Sequence, residues 1–272
     1  MDFTCPRISI ITPSFNQAPF LERTIRSVLD QNYLNLEYII IDGGSTDGSV
    51  EIIKRYEPQL AYWVSEPDQG QSHAINKGLQ RATGEWVGWQ NSDDIYYPNA
   101  LNLLVKRIQE KPNTDFVIGD VNLIDAQDQI IRDMRYVCPS YESLLAEGMV
   151  LTNQAAFWKR SLHQQHGWLN ESLHYGFDYE WFLRIMSSSP RCEHVSELIG
   201  ALRYHGETKS SKHQKLFVEE YDQILSGKKS SVLRKKFFLI RRLLLTLADG
   251  RYSYVARGAL RRVCNIFSNP VV

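Results

Sequence analysis

Two adjacent carboxylates, Asp93 and Asp94, are the residues of this 272-residue chain whose types and spacing most clearly indicate chemistry. They follow an apolar run at 86–90 that predicts a buried strand, and they precede Pro98, which suits the first turn of a helix. In an open α/β sheet, such a loop lies at the carboxyl edge, where ligands bind. Adjacent carboxylates repel each other unless a cation is near, and their oxygens suit a hard divalent cation. The pair predicts a cation site, with a solvated acidic turn as the alternative.

The elements that would position this pair recur along the first 112 residues. Each is a predicted strand followed by a polar loop and a run with helical spacing, and the strands are expected at 8–12, 38–41, 62–65 and 86–90. Right-handed helical crossovers between parallel strands are the economical way to connect such a series. We therefore predict an α/β fold with a mostly parallel central sheet flanked by helices, and with the polar loops at one edge.

The pattern changes after residue 112. Paired strands, a helix and a further strand are expected at 116–124, 130–137, 141–147 and 152–158. A helix over 178–186 follows from a stripe at i, i+3, i+4 and i+7 that starts at Asp178. A last strand over 194–204 would lead to His205.

Charge is divided unevenly along the chain. Lys plus Arg and Asp plus Glu number 31 each, yet residues 227–272 contain eleven basic residues and one acid. That segment carries +10, which leaves −10 for residues 1–226. The division predicts an acidic globular domain followed by a basic helical C-terminal extension.

Cysteine usage and hydropathy indicate the compartment. Cysteines at 5, 138, 192 and 264 form no C-x-x-C pair, which argues against a zinc site or a disulfide scaffold and favours a reducing environment. The start of the chain has no charged-then-apolar signal sequence, and basic residues interrupt the longest apolar run. We expect a cytoplasmic protein.

The extension interleaves basic residues with Phe, Ile and Leu between 234 and 248. One interpretation is a helix that contacts an anionic membrane surface, peripherally on the inner face of the plasma membrane, or a lipid acceptor. The alternative is a helix that packs its leucines on the acidic domain while its arginines pair with that domain. Nucleic acid is a poorer partner, because the charges alternate with aliphatic side chains.

Several segments, in order, resemble family 2 glycosyltransferases of the GT-A fold. They are ISIITPSFNQ, IIIDGGSTDGS, EPDQGQSHAINKG, WQNSDDIYYP, GFDYEWFLRI and the closing loop LRYHGETKSSK, which together extend over residues 7–212. The resemblance implies inverting transfer of a sugar from a nucleotide-diphosphate sugar, preferably a UDP-sugar, to a hydroxyl of a glycan or lipid-linked acceptor, with Mg²⁺ or Mn²⁺. It also divides the domain into a nucleotide-binding half, 1–112, and an acceptor half, 113–226.

The resemblance implies which residues contact the nucleotide. Phe15 would pack on the base, and Asp42 would accept a hydrogen bond from uracil or ribose. Pro13 and Asp68 belong to the same set, and Asp93 would contact ribose or sugar. The alternative for each is an ordinary turn carboxylate or core side chain.

For the metal, the resemblance implies Asp94 and His205, although the sequence leaves open which of Asp93 and Asp94 is the direct ligand. The basic residues after His205, among them Lys209 and Lys212, would hold the diphosphate. The alternative for His205 is a loop histidine without a ligand. The first position of the acidic motif, often Asp in the family, is Asn91 here, and an amide can offer a neutral carbonyl.

Asp178 is the general base that the resemblance implies. It also starts the stripe of its predicted helix, so it can point into the site. Glu180 competes for this role, but Arg184 lies four residues further and would pair with it. Of the other histidines, His163 and His166 are expected on a solvated helix face. A non-catalytic nucleotide-sugar-binding or scaffolding relative is the alternative function. A nucleotidyltransferase has less support, because no basic glycine-rich loop follows the first strand.

Overall fold

The structure, a computed structural model, describes residues 5–206, 214–228 and 230–258. Its strands are β1 Ile8–Ser14, β2 Leu36–Asp42, β3 Tyr62–Ser65, β4 Trp86–Trp89, β5 Ile95–Tyr96, β6 Phe116–Ile124, β7 Ile130–Met134, β8 Ala156–Lys159 and β9 Cys192–Arg203. Its helices are α1 Ala18–Leu29, α2 Ser49–Tyr56, α3 Gln71–Arg81, α4 Ala100–Glu110, α5 Tyr141–Glu147, α6 Ser161–His166, α7 Phe177–Met186, α8 Gln214–Ile224 and α9 Val232–Ala248. Short 3₁₀ turns lie at Glu57–Gln59 and Asn153–Ala155.

The described strands form one nine-stranded sheet in the order β3-β2-β1-β4-β8-β6-β9-β5, with β7 paired to β6. The neighbours from β3 to β4 are all parallel, as predicted for the first 112 residues. β1, β2 and β4 are buried nearly throughout, because helices cover both faces of a parallel sheet. Because β1 to β4 are parallel, their carboxyl ends lie along one edge of the sheet, at Ser14, Asp42, Ser65 and Trp89.

The other half of the sheet is mixed. β8 is antiparallel to both β4 and β6, whereas the long pairing of β6 with β9 is parallel. β5, which the sequence analysis did not predict, pairs antiparallel with β9 through Ile95 to Ala201 and Tyr96 to Gly200. This short strand brings the acidic loop beside the end of β9.

Two predicted strands are shorter than expected, one at its start and one at its end, and a hydrogen bond to a buried carboxylate accounts for each difference. The expected strand at 152–158 begins only at Ala156, because the 3₁₀ turn before it directs Gln154 toward the acidic loop, where its Nε2 donates to Asp94. β7 ends at Met134 rather than residue 137, because the Tyr136 N–H leaves the ladder and donates to the buried Asp120 carboxylate at 2.9 Å.

The prediction of a solvated helix face for His163 is wrong. His163 is buried, with its ring stacked on Trp181 at a centroid distance of 4.2 Å. Its Nε2 accepts a hydrogen bond from Trp158 Nε1 at 3.0 Å, so its Nδ1 donates to the Gly167 carbonyl at 3.1 Å. The neighbouring tryptophans explain the burial, but their proximity is not evident from helical spacing.

The C-terminal extension contacts the domain through α9, which packs on α5. A further helical stretch covers 252–258, while residues 229 and 259–272 of the extension lie outside the described residues. Among the described helices, none combines the length and the apolar content needed to cross a bilayer. The division into a domain at 1–226 and an extension at 227–272 stays a prediction.

Changing His163 to Phe should reduce the acid sensitivity of the fold. Burial lowers the pKa of His163 from 6.5 to about 4, so below pH 6.5 the unfolded chain takes up a proton that the folded protein does not. Stability present above pH 6.5 is therefore lost as the pH falls toward 4, by up to about 3 kcal/mol. Urea unfolding of wild type and His163→Phe across this pH range measures the difference. If the unfolding free energies of the two proteins fell equally with decreasing pH, the result would contradict this account.

Candidate active site

Asp93 and His205 meet at the carboxyl edge of the sheet although they are 112 residues apart in sequence. His205 Nε2 lies 3.1 Å from Asp93 Oδ2, and the imidazole packs against the Phe20 ring at a centroid distance of 4.5 Å. The pairing of β5 with β9 brings the two loops together. The Asp93 side chain is 19% exposed, so this carboxylate faces the open edge.

Asp94 lies beside Asp93 but is fully buried. Its Oδ1 accepts the Arg203 backbone N–H at 2.7 Å, and its Oδ2 accepts the Asn91 amide at 3.0 Å and the Gln154 amide at 2.5 Å. Burial raises the pKa of Asp94 well above its usual range and the Asp93 charge raises it further, whereas the three hydrogen bonds lower it. Both carboxylate oxygens of Asp94 thus accept hydrogen bonds from other groups of the protein. Its predicted role as a direct metal ligand stays a prediction.

Asn91 stands where the family motif often has Asp, and its contacts explain why an amide suits this position. Its Oδ1 accepts from Gln71 Nε2 at 2.9 Å, while its Nδ2 donates to Asp94. An ionised aspartate in this position has no proton to donate and would add a third negative charge beside Asp93 and Asp94. The amide therefore suits the buried carboxylate next to it.

Arg203 is a site residue that sequence reasoning missed. Its side chain is fully buried, and its Nε donates to the Asp93 carbonyl at 2.6 Å. Its Nη1 donates to the Asp125 carbonyl at 2.8 Å and pairs with Asp128 Oδ1 at 2.5 Å. Arg203 therefore joins the acidic loop, β9 and the β6–β7 turn. A basic residue in an otherwise apolar stretch of a strand was the available signal.

Asp42 holds the glycine-rich turn after β2. Its buried carboxylate accepts from four donors, which are Gly44 N at 3.1 Å, Ser45 N at 2.8 Å, Ser45 Oγ at 2.6 Å and Ser65 Oγ at 2.7 Å. These bonds close the turn against β3. The predicted contact between Asp42 and a nucleotide stays a prediction, and the four donors give the carboxylate a structural role as well.

Phe15 and Asp68 converge over Gly43. A methyl group added at Gly43 would lie 2.6 Å from Asp68 Oδ2 and 3.2 Å from Phe15 Cδ2, so only glycine fits beneath them. Phe15 is 59% exposed, and Asp68 is half-buried. An exposed ring beside a carboxylate is suited to a base and its ribose. Pro13, in contrast, is buried inside β1 opposite Ile41.

Asp178 lies in the first turn of α7 and is half-buried. Glu180, its competitor, is held by Arg184 through two bonds, from Nε to Oε1 at 2.9 Å and from Nη2 to Oε2 at 2.6 Å. The predicted pairing of Glu180 with Arg184 is confirmed. The role of Asp178 as a base stays a prediction.

Glu220, on α8, positions the loop in front of Asp178 and was also missed. Its carboxylate accepts the backbone N–H groups of 174, 175 and 176 at 2.8, 2.7 and 2.8 Å. The N-cap residue of α7, Gly176, has no side chain that could make such a bond. The same loop adjoins the start of α3, where Ser72 Oγ donates to the Leu173 carbonyl at 3.5 Å. The Asp178 loop is thus next to the helix that follows Asp68.

The Asp93–His205 pair fits a divalent cation by its donor chemistry. Neighbouring octahedral ligands at about 2.1 Å from a metal lie about 3 Å apart, which the 3.1 Å between Asp93 Oδ2 and His205 Nε2 matches. No group of three or more potential metal-ligating side chains occurs within the described ranges. The pair would therefore need oxygens from a ligand or water. Lys209 and Lys212, expected near the diphosphate, lie outside the described residues.

The comparison with protein families decides the class. The model of Glycosyl transferase family 2 matches residues 9–168, which contain β1 to β4 and the acidic loop. The chain belongs to this family. It is therefore a glycosyltransferase. An uncharacterized glycosyltransferase of Rickettsia typhi is 28% identical over 250 residues, covering 87% of this chain and 76% of the relative.

Solved structures agree on the fold. S. aureus TarS 1–349 in complex with UDP-GlcNAc superposes with a TM-score of 0.68 at 16% identity, covering 86% of this chain and 71% of the other. The mannosyltransferase PcManGT from Pyrobaculum calidifontis, in complex with GDP-Man and Mn²⁺, gives a TM-score of 0.62 at 20% identity and coverages of 96% and 81%. The predicted GT-A fold is confirmed. The basic extension as a separate unit stays a prediction.

Changing Glu220 to Ala should loosen the loop before α7. The three N–H groups would lose a charged acceptor, which we expect to cost about 2–3 kcal/mol of unfolding free energy. Amide hydrogen exchange at 174–176 and urea unfolding measure the two effects. Glu219→Ala is the matched control, because Glu219 is exposed. Among the described residues its one ion pair is with Lys215, at 3.8 Å. Similar exchange rates in both variants would refute the capping role.

Proposed function

We propose that the protein transfers a sugar, with inversion, from a nucleotide-diphosphate sugar to a hydroxyl group of a glycan or lipid-linked acceptor. The observation that carries the proposal is the Asp93–His205 pair, 3.1 Å apart at the carboxyl edge of the sheet. A UDP-sugar is the favoured donor, since TarS, which has the same fold, binds UDP-GlcNAc. The GDP-Man complex of PcManGT makes a GDP-sugar the second choice.

The nucleotide would lie over Gly43. Phe15 offers an exposed ring on which a base can stack, and Asp68 offers a carboxylate to the ribose hydroxyls. A larger residue at Gly43 would displace Asp68, which is 2.6 Å from the position of an added methyl group. Asp42 would act chiefly by holding the turn in place through its four donors.

Asp93 and His205 would hold Mg²⁺ or Mn²⁺ at the diphosphate. This proposal takes Asp93 rather than Asp94 as the direct ligand, because Asp94 is buried and accepts three hydrogen bonds from protein groups. When bound, the ion would neutralise charge on the departing diphosphate. The Mn²⁺ in the PcManGT complex supports a divalent ion in such a fold.

Asp178 would be the general base. It would take the proton from the acceptor hydroxyl as that oxygen attacks the anomeric carbon, on the side opposite the diphosphate. A helix N-terminus stabilises the ionised carboxylate, which keeps it ready to accept the proton. Glu180 is less suited, because Arg184 holds both of its oxygens.

A non-catalytic nucleotide-sugar-binding or scaffolding relative is the second candidate function. The feature that favours it is Asn91, where the family motif often has Asp, but the donation from Asn91 to Asp94 gives that residue a structural reason instead. The donor panel described below separates the two candidates, because a binding protein would release no nucleotide.

Changing Asp93 to Asn should weaken metal-dependent nucleotide binding by at least about tenfold, because one anionic ligand is lost. Titration calorimetry with UDP and Mn²⁺, repeated in EDTA, measures it. Asp94→Asn is the comparison, and it should reduce stability more than metal dependence, because its amide would face donors. If Asp94→Asn alone abolishes the metal dependence, the two roles must be exchanged.

Changing Asp178 to Asn should leave donor binding intact and lower transfer by about 10²–10⁴-fold, the usual size of a lost general base. Release of free nucleotide from a panel of nucleotide-sugars with Mn²⁺, in the presence of acceptor, measures transfer. Glu180→Gln is the matched control and should retain most activity. An active Asp178→Asn protein and an inactive Glu180→Gln protein would assign the base to Glu180.

A further inference from the structure

Helix α9 has one face fixed to the domain. Arg242 Nε donates to Glu147 Oε2 at 2.8 Å, and Arg234 forms an ion pair with Glu142, so both acids of α5 are paired with this helix. Thr246, one turn after Arg242, is buried. These contacts fix the rotation of α9 about its own axis and so decide which residues point away from the domain.

The opposite face of α9 is apolar and exposed. Leu233, Phe237, Ile240 and Leu244 lie at i, i+4, i+7 and i+11, which places them on one side of the helix, away from Arg242. Their exposed fractions are 80%, 61%, 56% and 60%. We call these four residues the outer face. A contiguous apolar strip of this kind indicates an interaction surface.

Basic residues surround the outer face. α9 contains five Lys or Arg residues and no acid. Lys236 is exposed at one edge of the outer face, and Arg241 is partly exposed at the other. A second copy of the chain placed on this surface would bring like charges together, which disfavours a dimer through it. Anionic headgroups, in contrast, complement these charges.

We propose that α9 docks the protein on an anionic phospholipid surface, with the outer face inserted at the headgroup level and α9 parallel to the bilayer plane. Apolar burial and the attraction of Lys and Arg to anionic lipid together hold interfacial helices in this way. The proposal deepens the membrane contact suggested by composition, because the structure identifies which side chains enter the lipid.

Docking would also place the acceptor half beside the lipid. α9 packs on α5, and α5 contacts α7 through Tyr179 Oη, which donates to the Leu144 carbonyl at 2.7 Å. α7 carries Asp178. A lipid-linked acceptor would then be presented to this side of the protein, a consequence that rests on the proposed function, whereas the docking itself does not.

Cosedimentation of the full-length protein with vesicles tests the docking, in the absence of donor and metal. Vesicles of phosphatidylcholine alone are compared with vesicles of phosphatidylcholine and phosphatidylglycerol. We expect binding to the second kind, and weaker binding as salt is raised. The doubly substituted Ile240→Glu, Leu244→Glu protein should bind no better than wild type binds phosphatidylcholine alone.

Charge variants isolate the electrostatic part. Replacing Lys236 and Arg241 by Gln should lower the partition coefficient by roughly 30-fold, about fivefold for each basic residue. Replacing the exposed lysines Lys54 and Lys106, on α2 and α4, by Gln removes the same charge elsewhere and should change binding by much less. Circular dichroism spectra confirm that each variant is folded.

Three outcomes would overturn the proposal. If wild type and the Ile240→Glu, Leu244→Glu variant bind vesicles equally, the outer face does not contact lipid. If wild type ignores vesicles and is a dimer by light scattering that this variant disrupts, the outer face joins two copies. If wild type ignores vesicles as a monomer and the variant unfolds at lower temperature, the outer face is covered by the chain itself. Loss of sugar transfer with normal vesicle binding would count against the proposed function alone.

Discussion

The burial of Asp94 is the constraint on which the rest of the site depends. A carboxylate removed from water is tolerated only when donors replace the water, and those donors come from separate segments. The backbone of Arg203, the amide of Asn91 and the amide of Gln154 all converge on it. Satisfying this one group therefore brings the acidic loop, the turn before β8 and the end of β9 together, and with them Asp93 and His205.

Long-range donors and acceptors also hold the loop before α7. Three backbone N–H groups before α7 are satisfied by Glu220, from a helix that follows β9 in the chain. The start of α7 is thereby held against α8 rather than capped locally. Both sides of the site are thus built on loops whose positions are set by distant carboxylates. Such supporting contacts keep reactive groups in place without occupying them.

The charge division of the chain has a structural counterpart. Acids of the domain, such as Glu147 and the buried Asp120, pair with Arg242 and Arg251 of the extension. Part of the basic charge is therefore used within the protein, as the packing alternative supposed. The apolar outer face and Lys236 beside it are not used in this way among the described residues. The two interpretations of the extension thus describe opposite faces of one helix.

Sequence by itself determined the parallel half of the sheet, with the bounds of β3 matching the prediction residue for residue. Local periodicity encodes which residues are buried, and in this half burial follows local order. The resemblance also identified the family, because its motifs are contiguous. Only the tertiary structure decided that Asp93 faces the open edge while Asp94 is enclosed, and that Arg203 and Glu220 support the site. The roles of Arg203 and Glu220 depend on partners 44 to 110 residues away, and two neighbouring aspartates have no local feature that tells them apart.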